Sequence, residues 1–556
     1  MNYDVVKSPT FSDDWVEQVL LNRGLEEKNL WSFMNPSSGL EHSYLMLDYV
    51  KQAAARVAKA IAKQEKVYVQ VDCDCDGYTS AASLLNYLWM TYPFVIENNW
   101  TWGLHKNKEH GIEEDNIPEG VTLVIAPDSS SNEVELHLRL AARGIDVVIL
   151  DHHEAPFAPE DPAIIVNNQI DNYPNKTLCG AGIVYKFCEC FDEMFGLSHH
   201  EDILDLTALG LIGDMMDMRD LETRYLISEG LVYPENPYFA SMISKQQYQI
   251  KDELTPFNVA FYIVPFINAI TRVGTPEEKE LIFEALLNFR ARTLIQSTKR
   301  GDPKGTMVPL VEQAVRICTN VKARQEREKK NTVERIENQI FENELLKNPI
   351  IILEMREPID ANLTGLVANY VMAKYRKPTL LLNWRSDHWA GSGRAFPIAE
   401  IENWRGFFES ECSVIYAQGH ANAFGIAMTA EQLDQLKAQM ATWPWKIEPI
   451  HWVDFKFQAN DGDLYRCIMA LTERQDLWGQ GVTEPEIAVE HVKVDPRQIH
   501  LYSPDKNPTI KLDLPHGVSA MIFNTTEDEY NKLLARIPEC GAIELTVLGK
   551  CIRNIW

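Results

Sequence analysis

Three stretches rich in β-branched and aliphatic residues each end on an aspartate: KVYVQVD at 66–72, VTLVIAPD at 121–128 and IDVVILD at 145–151. Runs that are apolar on both faces read as strands covered on both sides, the mark of a parallel, helix-covered sheet. Helical patterns alternate with them, beginning with AASLLNYLWM, for which Thr79 and Ser80 are the expected caps. In open α/β sheets the residues just past the carboxyl ends of the strands share one crevice. Three strands that end in acid therefore predict one acidic site at one edge of the sheet.

The first of these ends is the densest. DCDCDG sets Asp72, Asp74 and Asp76 at every second position, followed by a glycine. The pattern opens like a calcium-binding EF-hand loop, but such a loop needs glutamate at its twelfth position and a helix in front. Here the twelfth position is Ser83 and a strand precedes, so that reading fails. The third strand runs into Asp151, His152 and His153. Adjacent histidines point different ways, so one can ligate a metal while the other meets substrate, with a carboxylate fixing a tautomer. Asp128 closes the second strand, and Asp214 follows the apolar run LDLTALGLIG, where an unpaired carboxylate would be costly to bury. Asp205 and Asp217 read as caps or surface charges.

At 556 residues the chain is too long for a single core. Helices are expected over 12–35 and 43–64, a helical stretch over 202–300, and a long charged helix from near Val308 to Leu346. A second α/β pattern begins at NPIIILEM, and short strands with turns follow residue 446. The expected division is 1–50, an N-terminal helical segment; 51–255, the catalytic domain; 256–345, a helical region with the long helix; 346–445, the second α/β domain; and 446–556, a small β-rich domain. No apolar run reaches the roughly 18–20 residues that cross a bilayer, and the N-terminal residues lack a signal layout, so a cytoplasmic protein without membrane partners is expected. The 10 cysteines include no CxxC pair, which argues against structural zinc. A net charge of −27 speaks against a nucleic-acid partner, yet residues 290–330 hold 11 Lys and Arg against 4 Asp and Glu. That element reads either as a phosphate-tracking surface or as a solvated helix face.

The order DxDxDG, an aspartate after a strand, DHH, then ALGxxxD resembles the DHH phosphoesterase superfamily. LDLTALGLIGDMMDMRDLETRYLISEGL, FINAITRVG, GSGRAF, GHANAFGIAM and LWGQGVTEPEI occur in the same order in RecJ-type single-strand-specific exonucleases, a resemblance covering essentially the whole chain. It implies two divalent ions, Mn²⁺ or Mg²⁺, with Asp72 and Asp74 on one, Asp76, His152 and Asp214 on the other, and Asp128 bridging. It implies catalytic roles for His153, contacting the scissile phosphate, and Asp151, orienting a histidine, together with Asp128. A nucleic-acid-binding domain would offer Ser392, Gly393 and Arg394 from a backbone that approaches phosphate closely. His420 would lie nearby, Asn268 and Arg272 would touch the DNA backbone, and the C-terminal domain would be an OB-like barrel in which Trp452, Phe455 and Phe457 either stack bases or pack a core.

The sequence also departs from the pattern. In WGLHKNKEHGI, His105 stands where the family carries an arginine that reads a 5′ phosphate, with Lys106 and Lys108 beside it. The DNG-like second motif reads DSSS, Phe266 replaces a common arginine, and Gln418 replaces the first glycine of GGH. The resemblance thus implies a 5′→3′ exonuclease releasing mononucleotides from single-stranded DNA in repair or recombination, partnered by a helicase or single-strand-binding protein. A DHH phosphodiesterase for short oligonucleotides or cyclic dinucleotides is the alternative, and a non-catalytic replication scaffold the third.

Overall fold

The strand runs do form a parallel sheet. In the computed structural model, β1 (Val67–Val71), β2 (Trp100–Leu104), β3 (Leu123–Pro127), β4 (Asp146–Asp151) and β5 (Ile164–Asn167) lie in the order β2-β1-β3-β4-β5, every pair parallel. The structure describes residues 3–106, 110–156, 158–251, 253–398, 400–440, 442–443, 451–503, 508–514, 517–523, 525–537 and 542–550. In this strand order the chain leaves β1 toward one side and returns to β3 on the other, which opens a crevice between them at their carboxyl ends. Every residue of β1 and β3 is buried.

Helices cover the sheet. Those that shape the crevice are α1 (Cys75–Thr91), α2 (Gly180–Phe195) and α3 (Leu204–Gly213). The first starts four residues before the expected cap, because Asp74 accepts the Gly77 N–H at 3.0 Å and caps it, while Thr79 and Ser80 lie inside the helix. The helix expected over 12–35 is broken: Trp15–Asn22 ends before Gly24, at φ +85°, and only Leu30–Met34 resumes. That expected over 43–64 narrows to Val50–Ala62.

The stretch expected as helix to residue 300 ends instead in a β-hairpin, β6 (Leu294–Gln296) with β7 (Met307–Pro309), which leads into the long helix α4 (Leu310–Glu342). By contacts the described residues divide into two compact units, one of Tyr3–Cys318 with those from Trp452 on, the other within Thr319–His451. Thr319–His451 is itself α/β: its sheet runs Tyr416–His420, Ala423–Met428, Trp389–Arg394, Thr379–Trp384, Ile351–Met355, with only the last pair parallel. Beyond 452 the described strands form two three-stranded sheets: Phe455–Gln458, Glu486–Val494 and Ile543–Lys550, and the meander Ile499–Tyr502, Thr509–Asp513 and Ser519–Ile522. The described pairings do not join these into one closed barrel.

All described cysteines are free and buried. Among the described residues no helix is long and apolar enough to cross a membrane.

Candidate metal centre

The chain reverses sharply after β1, and this turn positions the first aspartates. Gly77 fits against Asp72 so tightly that a β-carbon would sit 2.6 Å from the Asp72 Cβ, so only glycine closes the turn. Asp76 then points at the start of α2, where its two oxygens accept the N–H groups of Gly180 at 2.6 Å and Ala181 at 3.1 Å. A helix N-terminus carries unpaired N–H donors and partial positive charge, so it is a natural seat for a carboxylate side chain. Ser80 adds a hydroxyl donor at 3.3 Å.

Asp128 takes the left-handed backbone conformation, φ +67°, directly after β3, and Ser130 follows at φ +81°. The double twist turns the Asp128 side chain into the crevice, where its Oδ1 lies 3.2 Å from His152 Nε2. His152 Nε2 is also 3.4 Å from Asp214 Oδ2 and 3.9 Å from Asp76 Oδ2. Asp214, at the end of α3, completes the group.

Ligand atoms of Asp72, Asp74 and Asp128 lie within 4.8 Å of one another, and so do those of Asp76, His152 and Asp214. The structure therefore brings all six expected ligands together in two trios. Asp72 Oδ1, Asp128 Oδ1 and His152 Nε2 are buried with no hydrogen-bond partner. Buried polar atoms rarely stay orphaned, and acceptors that converge on one another without donors fit cations between them. The carboxylates also resist sharing negative charge. Burial, followed by repulsion from neighbouring aspartates, pushes Asp74 up to about 6 and Asp214 up to about 8, and raises Asp128 well above the carboxylate range. Burial lowers His152 and keeps its ring neutral, the form that ligates.

The second histidine is built differently. Asp151 Oδ1 accepts His153 Nδ1 at 2.8 Å and the His152 N–H at 2.7 Å, while Oδ2 accepts the Ser131 N–H at 3.2 Å. Burial works to raise Asp151, but the His153 bond and the histidine charges outweigh it and hold the carboxyl well below its usual range. The same bond pushes His153 up to about 9. Its side chain is 56% exposed, so a charged imidazolium with a free Nε2 faces out of the crevice.

Of the remaining expected contacts, His105 requires correction. It is 2% exposed, enclosed by Gln70, Asp72 and Glu113, and so cannot present a cation to a terminal phosphate. Sequence order located the segment but carried no information on which side chain turns inward. The exposed group there is His110, whose Nδ1 lies 2.7 Å from Asp72 Oδ2. Lys106 is exposed, its carbonyl pinned by buried Lys279 at 2.8 Å. Lys108 lies outside the described residues. Arg272, on the helix Val264–Val273, faces Asp74 and Cys73, and Asn268 on the same helix has a buried Oδ1 without a partner.

GSGRAF begins within a central strand, Trp389–Arg394, and runs past its end. A β-carbon on Gly391 would meet the Leu381 carbonyl at 1.9 Å, and one on Gly393 would meet the Phe424 ring at 2.4 Å, so both glycines serve packing between strands. Ser392 Oγ pairs with Thr364 Oγ1 at 2.9 Å, Arg394 donates to the Gly393 carbonyl at 2.7 Å, and His420 is exposed at a strand end. Trp452 is 52% exposed, whereas Phe457 is buried.

Two features escaped the sequence reading. Gly180, in the segment CGAG, would place a β-carbon 2.5 Å from the Asp128 Cβ, so the α2 start and the Asp128 turn interlock. A pair of small residues opening an apolar helix was the available signal. The second is a clasp on the loop after Asp214. Gln480 accepts the Met218 N–H at 3.0 Å, and β-carbons on Gly479 and Gly481 would meet Met218 Sδ at 2.3 Å and Asp217 Oδ1 at 1.9 Å.

Residues 66–211 match the DHH family, N-terminal domain. The chain is 34% identical over 569 residues to the SPbeta prophage-derived single-strand DNA-specific exonuclease YorK of Bacillus subtilis (strain 168), covering 100% of this chain and 95% of that protein. It is 26% identical over 441 residues to the single-stranded-DNA-specific exonuclease RecJ of the same organism, covering 76% and 51%. Among solved structures, RecJ from Thermus thermophilus in complex with Mn²⁺ superposes with a TM-score of 0.68 at 18% identity, over 98% of this chain and 79% of that one, which shows the shared fold. A match spanning the whole chain, joined to six ligand side chains converging at a parallel-sheet edge, means that the chain belongs to the RecJ-type exonucleases of the DHH family.

Proposed function

We propose that the protein is a metal-dependent exonuclease that degrades single-stranded DNA from the 5′ end to mononucleotides, in repair or recombination. The observation that carries this reading is the pair of ligand trios, Asp72/Asp74/Asp128 and Asp76/His152/Asp214, meeting at the β1/β3 crevice. Hard carboxylate oxygens with one imidazole suit Mn²⁺ or Mg²⁺ rather than a soft metal. Two such ions, when bound, supply a nucleophilic water at neutral pH and neutralise charge on a phosphate under attack.

The chain's own residues do the rest. Asp76, fixed by the α2 amides, and Asp128, fixed by its turn, hold the ligand set in place. His153, with Nδ1 engaged by Asp151, keeps Nε2–H for a non-bridging phosphate oxygen, and the charged ring strengthens that bond. Arg272 and Asn268 would contact the backbone of the strand in the unit that carries the crevice. Ser392, Arg394 and His420 would do so from Thr319–His451.

The test incubates the protein and Mn²⁺ with labelled single strands, 5′-phosphorylated or 5′-blocked, beside a duplex and a cyclic dinucleotide. Mononucleotides released from open single strands, and lost in Asp128→Ala, are expected. Preferential hydrolysis of the cyclic dinucleotide would overturn the reading.

A further inference from the structure

The hairpin β6–β7 and its flanks carry a local excess of cations. Between residues 290 and 316 stand Arg290, Arg292, Lys299, Arg300, Lys304 and Arg316, against only Asp302 and Glu312. In a chain of net charge −27 such an excess of cations is against the trend. The hairpin's root is buried through Ala291, Val308 and Leu310, while Leu294 and Met307 on its strands are 60% and 52% exposed. Its tip is folded rather than loose: Ser297 Oγ donates to Asp302 at 2.6 Å, the Thr298 N–H to Gln313 at 2.8 Å, and Arg316 to Thr298 Oγ1 at 3.2 Å.

Within that folded tip the acids are spent. Asp302 is taken by Ser297, with Lys299 at 4.0 Å, and Arg290 is taken by Glu284 at 2.8 Å. Arg292, Arg300 and Lys304 are exposed and make no ion pair among the described residues. Gly301 and Gly305 take left-handed turns with nothing within 4 Å of where a β-carbon would be, and Lys299, Arg300 and Lys304 beside them are exposed. Like charges held together without counter-charge raise the local potential, and the partner that lowers it most is a polyanion.

The hairpin's position narrows which part of a polyanion it meets. Asn86 and Trp89, near the end of α1, fix its approach: Asn86 bonds the Leu286 carbonyl and the Asn288 N–H at 2.9 and 2.7 Å, and Trp89 stacks on Phe289 at 5.3 Å. The helix begins beside the aspartates at Cys75, so at 1.5 Å per residue Trp89 lies about 20 Å from them. The hairpin is therefore rooted away from the phosphodiester being cut, at the far end of α1.

We infer that the β6–β7 hairpin grips the phosphate backbone of the substrate strand several nucleotides away from the cleaved end, through Lys299, Arg300 and Lys304. This rests on the nuclease reading and adds to it a second, sequence-independent contact that lengthens the stretch of DNA the protein holds.

The test compares the wild type with the triple variant Lys299→Ala/Arg300→Ala/Lys304→Ala, whose fold is checked by thermal melting. Affinity for a labelled 30-nucleotide single strand is measured across salt concentrations in Ca²⁺ buffer, and kcat/KM in Mn²⁺ for the 30-mer and for a dinucleotide. Removing three phosphate contacts should flatten the slope of log K against log salt by about 2. The 30-mer to dinucleotide ratio of kcat/KM should fall through a rise in KM for the long strand. In the wild type, the same 30-mer should shield Lys299 and Lys304 from an amine-acetylating reagent, read by mass spectrometry, a measurement that needs no variant. An unchanged slope, or no shielding while the strand is bound, overturns the hairpin's role and leaves the nuclease reading intact. A wild type that neither binds nor cleaves single strands overturns the nuclease reading itself.

Discussion

Gly180 faces Asp128 so closely that a β-carbon on it would come 2.5 Å from the Asp128 Cβ. The same residue donates its N–H to Asp76, so one glycine spaces a carboxylate of each ligand trio. Alanine normally favours a helix over glycine by about 1 kcal/mol. Here Gly180→Ala should instead destabilise by about 1–3 kcal/mol through overpacking, and should weaken Mn²⁺ binding measured by calorimetry. Gly462→Ala, where nothing lies within 4 Å of the added carbon, is the control and should change neither.

Removing one carboxylate should separate stability from metal binding. Asp128→Asn relieves repulsion among buried acids, so in EDTA the variant should melt higher than the wild type. On adding Mn²⁺ the order should reverse. A ligand at one hundred times its dissociation constant stabilises by about 2.7 kcal/mol, and the variant should lose most of that gain. Melting curves with EDTA and with Mn²⁺ read both effects.

Ser130 sits at φ +81° with its hydroxyl buried and unpartnered. The left-handed conformation costs a non-glycine residue roughly 1–2 kcal/mol, and the extra freedom of unfolded glycine returns about 0.4–1 kcal/mol of that. Ser130→Gly should therefore stabilise the protein by about 0.5–1 kcal/mol in urea unfolding. A loss of stability would mean that the hydroxyl holds a partner worth more than the strain.

Away from the crevice, Asp171 accepts the Asp48 N–H at 2.8 Å and is pushed up to about 6, chiefly by burial. Its folded value lies above the unfolded one near 3.9. Its contribution to stability is therefore complete below about pH 4 and is lost as the pH rises through about 6. Asp171→Asn keeps an acceptor for Asp48 but cannot ionise. Relative to the wild type, the variant should gain melting temperature between pH 4.5 and pH 7.5. A constant difference across that range would remove Asp171 as the cause.

The residues that the sequence revealed and those that it hid divide along a physical line. Asp72, Asp128 and Asp151 were legible because each ends a run of residues apolar on both faces, and parallel-sheet topology sends such ends to one edge. His152 and Asp214 were legible through motif order. What remained hidden depends on direction rather than spacing. Whether His105 or His110 turns outward is decided by how the segment after β2 packs, and spacing cannot record that. The glycines of GSGRAF read as room for a phosphate, and spacing could not show that Gly391 and Gly393 also make room for the Leu381 carbonyl and the Phe424 ring. The hairpin hid inside a helical stretch because its strands are three residues each, too short for an alternating pattern to emerge.

The clasp on the loop after Asp214 has a consequence for the order in which the protein is made. Five of the six ligands are supplied by residues 72–152 and the sixth by Asp214, but Gly479, Gln480 and Gly481 leave the ribosome only after some 260 further residues have been translated. Until then the loop is held by Thr177, which donates to the Asp217 carbonyl at 3.3 Å, and by Arg219 on the Asp217 carboxylate, without the clasp. A nascent chain therefore carries all six ligands, five of them already seated by the sheet edge and α2, before the clasp that backs the loop after the sixth has been made.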